Sequence, residues 1–73
     1  MGARASAALI AADDVAVSRF LAGTLDFPGI PRLLEAAVAR FGAGPGDPET
    51  DELIDLDYAV RDAFATTRFG ASA

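Results

Sequence analysis

Three apolar stretches at helical spacing, each closed by glycine, are the strongest constraint on what this chain can fold into. In the first, Leu9, Ile10, Ala16, Val17, Phe20 and Leu21 fall at intervals that fit one face of a helix over residues 5–22, and Gly23 is placed to end it. In the second, over residues 30–41, Pro31 suits the first turn, where its missing N–H matters least; Leu33, Leu34, Ala37, Val38 and Phe41 follow, and Gly42 closes the run. The third opens at Thr50, read as an N-cap, with Asp51 and Glu52 in the first turn, where the helix dipole favours acids. Leu53, Leu56, Val60, Ala63, Phe64 and Thr67 then form its apolar stripe, and Arg68 and Gly70 mark its end near residue 68. The expected fold is all-α, three helices around one core.

The connections are short. Leu25 and Phe27 flank Asp26 ahead of Pro28 and Gly29, and both apolar side chains are expected to pin this link to the core. Residues 42–49, with Gly42, Gly44, Pro45, Gly46 and Pro48, form the one loop expected to be flexible, and residues 70–73 a frayed tail. No repeat at solenoid spacing is visible, so the 73 residues make a single domain.

Composition removes many functions. With neither cysteine nor histidine, the chain has no disulfide, no thiolate or imidazole metal ligand, no cysteine nucleophile and no histidine base. Six arginines stand against eleven acidic residues, a net charge of −5 that disfavours nucleic acid as a partner. The apolar run Ala5 to Ala12 is short and is followed by Asp13 and Asp14; no stretch has membrane-spanning length, and a cytoplasmic chain is the expectation.

The remaining candidates for chemistry are carboxylates. Asp13 falls in the middle of the first apolar stripe, among Leu9, Ile10, Val17 and Phe20, with Asp14 at its edge. A carboxylate centred on a buried face must be paired, hydrogen-bonded, protonated or turned toward a partner, and a structural role for Asp13 is the expectation. The acidic group Asp51, Glu52, Asp55 and Asp57 lacks the alternating oxygen ligands and glycine turn of a calcium loop and reads as a solvated helix start. Asp57 and Arg61, four residues apart, are placed to form an ion pair along one flank. Ser18 lies inside a helix without the Asp-Ser-Leu signature of an acyl carrier protein, which leaves that reading weak. The expected core is Leu9, Asp13, Val17, Phe20, Leu34, Val38, Phe41, Leu53, Val60 and Phe64, with no catalytic, cofactor or metal-binding residue.

One stretch carries a family resemblance. Leu9-Ile10-Ala11-Ala12-Asp13-Asp14-Val15-Ala16-Val17, continued by Phe20-Leu21 and Gly23, resembles the Leu-Asn-Ala-Ala-Asn-Glu-Val-Ala-Val segment near the end of the 1-deoxy-D-xylulose 5-phosphate reductoisomerases. Phe27 with Ile30-Pro31 is similar to that family's Phe-x-x-Ile-Pro step, and Asp57 to Arg61 to the Asp-x-x-x-Arg of its last helix. Ile10 and Asp13 stand in place of two asparagines and Asp14 in place of a glutamate, so local packing must differ from the family pattern.

The resemblance implies a noncatalytic C-terminal helical bundle of an enzyme of isoprenoid precursor synthesis that uses NADPH and a divalent metal. None of the family's metal-binding carboxylates and no dinucleotide glycine motif has a match here. In the family a further helix precedes the matching segment, so the resemblance implies three helices of a four-helix bundle with one apolar groove uncovered. Self-association, most simply a homodimer, or another domain would then cover that groove. The alternative of another class is an independent helical interaction module.

Overall fold

A computed structural model describes residues 2–44 and 48–67. Three helices follow one another, α1 (Ala3–Leu21), α2 (Gly29–Phe41) and α3 (Thr50–Phe64), and no strand occurs among the described residues. The architecture is all-α, as the periodicity requires.

The helix ends show which local forces act. α1 starts two residues earlier than the expected residue 5, because Ala3 and Arg4 are good helix formers and the amide of Ser6 already donates to the Gly2 carbonyl at 3.0 Å. At its other end Gly23 adopts φ +80°, the amide of Gly23 donates to the Phe20 carbonyl and that of Thr24 to the Arg19 carbonyl. This is a Schellman closure, which places a left-handed residue where glycine carries no Cβ penalty.

α2 begins at Gly29, whose amide donates to the Asp26 side chain at 2.9 Å. A Cβ at Gly29 would lie 2.6 Å from the Leu25 side chain, so glycine lets the turn close over a core residue. Pro31 sits in the first turn, where an amide has no helical acceptor to lose.

α3 departs from the sequence reading at both ends. Glu49 rather than Thr50 is the N-cap, in extended conformation and without a side-chain capping bond. The helix stops at Phe64 instead of residue 68, since its terminal carbonyls have other partners: the Thr67 hydroxyl donates to the Ala63 carbonyl at 2.6 Å, and Arg19 takes the carbonyl of Phe64. Arg68, the loop residues Pro45, Gly46 and Asp47, and the tail 70–73 lie outside the described residues.

α1 is the central helix. Both α2 and α3 pack mainly on it and meet each other far less. One of its ion pairs with α3 joins Arg4 to Glu52 near both starts, and Arg19 meets Phe64 near both ends, so α1 and α3 run in the same direction. The three-helix unit is thin, 38 by 18 by 15 Å between Cα extremes, which leaves many large side chains with one side open.

The buried core corrects the sequence reading on α1. Ala8, Ala11, Ala12 and Ala16 are fully buried and Ala5 and Val15 nearly so, whereas Val17 and Phe20 are exposed, Asp13 is exposed and Leu9 is half-buried. Small residues allow the α2 and α3 backbones close to α1, and helix spacing is set by the side chains at the contact. The large core side chains then come from the facing elements: Leu25, Leu33, Val60 and Phe64 are buried. Leu34 and Phe41 pack against this core from its margin, while Val38 and Leu53 are half-buried. In the first connection only Leu25 is pinned; Phe27 is 72% exposed and leans instead on Phe20.

Candidate functional site

α1 is apolar on two opposite sides. One side is the alanine face just described. The other presents Ile10, Val17, Phe20 and Leu21 to solvent, and Phe27 extends it from the α1–α2 turn. The rings of Phe20 and Phe27 meet edge to face with centroids 6.1 Å apart. Between α1 and α2 this outer face sinks into a hollow of about 320 Å³ lined by Leu9, Ile10, Asp13 and Leu34. Exposed apolar groups gathered this way mark surfaces that pack on something else.

Asp13 sits in the middle of that face. The sequence places it on the apolar stripe, and so does the structure, but the stripe is the exposed one, so the carboxylate stays hydrated and needs no internal partner. Its neighbour is the engaged acid. Asp14 accepts a hydrogen bond from Arg61 at 2.5 Å, and Arg61 also donates to Asp57 at 2.8 Å, one helical turn away. The guanidinium of Arg61 is held above its already high ordinary pKa, first by the hydrogen bond to Asp57 and next by that to Asp14. The spacing Asp57 to Arg61 marks the pair within α3, but nothing in the sequence ties it to Asp14 across the bundle.

Arg19 has extensive polar contacts. It is buried, at 8% exposure, in line with the alanines of the inner face. Its guanidinium donates to the carbonyls of Phe64 at 3.0 Å, Thr67 at 2.5 Å and Thr24 at 2.9 Å, with a longer bond to the Thr24 hydroxyl at 3.3 Å. A cation at the C-terminal end of α3 meets the negative end of its dipole. Sequence reasoning missed this residue. The available signal was its register: Arg19 follows Ala8, Ala12, Val15 and Ala16 at helical spacing.

Of the other residues considered for chemistry, Ser18 is exposed in the last turn of α1, and Glu52 pairs with Arg4 at 3.4 Å. Among the described residues no group of three or more carboxylates, histidines or cysteines could hold a metal ion. No helix among them is long and apolar enough to cross a membrane.

The fold and this surface define a small all-α domain, closed around an alanine-faced central helix whose opposite side is also apolar. Residues 1–63 match the family model of the DXP reductoisomerase C-terminal domain, and the chain belongs to that family. It is 46% identical over 55 residues to the 1-deoxy-D-xylulose 5-phosphate reductoisomerase of Laribacter hongkongensis (strain HLHK9); the aligned stretch covers 75% of this chain and 14% of the relative. No solved structure matches.

Proposed function

We propose that this chain is a noncatalytic packing domain of a 1-deoxy-D-xylulose 5-phosphate reductoisomerase, an NADPH-dependent enzyme of isoprenoid precursor synthesis. The observation that carries the proposal is the double-sided α1: a helix apolar on opposite sides belongs between two packed surfaces, and the described residues supply only one of them. The second surface is another domain of the enzyme or a second copy of the chain. A cytoplasmic setting goes with this reading, where reduced nicotinamide nucleotide is held.

The residues present do not fit the groups such an enzyme uses. No metal-holding cluster occurs among the described residues, and the glycines of residues 42–46 have no basic residue among them to meet a phosphate. No chemical step is therefore assigned to these side chains. Their contribution is mechanical: α1 is fixed by α2 and α3 on one side and offers its other side as a rigid plate.

A chimera tests the reading. The Laribacter enzyme with its matching 55-residue segment replaced by that of this chain should oxidise NADPH in the presence of 1-deoxy-D-xylulose 5-phosphate, and the isolated chain should not. Turnover by the isolated chain would overturn the proposal, as would a folded chimera that is inactive. Sedimentation equilibrium separates the two possible covers, a dimer mass pointing to a second copy and a monomer mass to another domain.

A further inference from the structure

The outer face has a property that plain hydrophobicity does not explain. Asp13 stands at its centre, on the wall of the hollow otherwise lined by Leu9, Ile10 and Leu34, and it has no hydrogen bond or ion pair among the described residues. Any surface that covers the face takes this carboxylate out of water. Uncompensated, that desolvation opposes docking; matched by a cation, it favours one partner over others.

We propose that this face docks an apolar protein surface that inserts one arginine or lysine side chain into the hollow, with its charged end on Asp13. The chemistry of the hollow matches such a side chain. Leu9, Ile10 and Leu34 offer an apolar wall for the aliphatic stem, and the carboxylate receives the head. A volume of about 320 Å³ accepts a long side chain without rearrangement. Phe20, Phe27 and Leu21 lie beyond the hollow along the same face and, once covered, exclude water from around the charge pair.

Charge complementarity decides against a second copy as the occupant. The face contributes Leu9, Ile10, Asp13, Val17, Phe20 and Leu21 from α1 and no basic residue. Two such faces brought together across a two-fold axis would bury two carboxylates with no cation from α1 between them. The inference rests on the reading of the chain as a packing domain, but its test reports charge preference alone, whereas the chimera reports the packing role.

The probe is a pair of fluorescent amphipathic helical peptides of about five turns, with identical leucine faces and either arginine or glutamate at the centre of the face. Titrated with the whole chain and followed by anisotropy, the arginine peptide should bind at least about tenfold more tightly than the glutamate peptide. Asp13→Asn should remove that preference, and Asp13→Arg should reverse it. Both substitutions lie on an exposed site, and an unchanged circular dichroism spectrum verifies the fold. Val17→Asp should weaken both peptides together. Equal affinities for the wild-type chain, no binding of either peptide, a preference that survives Asp13→Asn, or a dimer of the chain that the arginine peptide does not dissociate would each overturn the proposal.

Discussion

The two sides of α1 differ in a way opposite to what side-chain size suggests. The side built of Ala5, Ala8, Ala12 and Ala16 holds the molecule together, while the side with Ile10, Phe20 and Leu21 is left in water. Burial follows from how closely backbones approach, not from how much apolar area one helix offers. An alanine side lets the Leu33, Val60 and Phe64 side chains reach across to α1, so the facing helices contribute the apolar volume. The outer side has no such complement among the described residues, and its large side chains stay exposed.

Substitutions that break this contrast rank in order. Removing the buried cation has the largest expected effect: Arg19→Ala leaves the carbonyls of Phe64 and Thr24 without their donor and should cost about 2–3 kcal/mol in chemical denaturation. Ala12→Leu forces a larger side chain into the fully buried inner side and should cost about 1–3 kcal/mol, with a fall in melting temperature. Gly23→Ala strains the left-handed residue that closes α1 and should cost about 1 kcal/mol.

The outer side should behave in the reverse manner. Leu21→Ser, at a position 78% exposed, should change stability by no more than about 0.5 kcal/mol while it weakens binding of the apolar helical peptide.

The smallest effect concerns the surface network. Arg61 has its pKa raised in the folded chain, so its stabilising contribution is complete below its unfolded pKa and is lost only as pH rises through the folded one, in strong alkali. Across neutral and moderately alkaline pH its charge is constant. Salt is the effective perturbant instead: raising ionic strength to about 1 M, where screening acts within about 3 Å, should lower the melting temperature of the wild type slightly more than that of Asp14→Asn.

Much of the fold was legible in residue order. Gly23, Pro31 and Gly42 mark helix boundaries through backbone geometry that needs no tertiary information, and the observed ends fall within two residues of those expected for α1 and α2. The end of α3 was not legible, because one of the contacts that stop it comes from Arg19, 45 residues away from Phe64. The buried face of α1 was misread for a different reason. Weighting positions by hydrophobicity favours Leu9, Val17 and Phe20 over alanine, and only the presence of neighbouring helices on the alanine side shows that small size was the selected property. Asp13 looked anomalous on the assumption that its stripe faced inward; on the outer face it becomes the mark of the candidate site.

The Arg19 contacts have a further consequence for how the molecule opens. In a chain without cysteine, one guanidinium fastens the α1–α2 turn at Thr24 and the end of α3 at Phe64 and Thr67 to the same point. Two segments distant in sequence thereby share one reversible staple, and both lose their donor when the arginine lets go. Amide exchange in the turn after α1 and at the end of α3 should then occur through a common opening, with matched protection that Arg19→Ala splits into two independent rates.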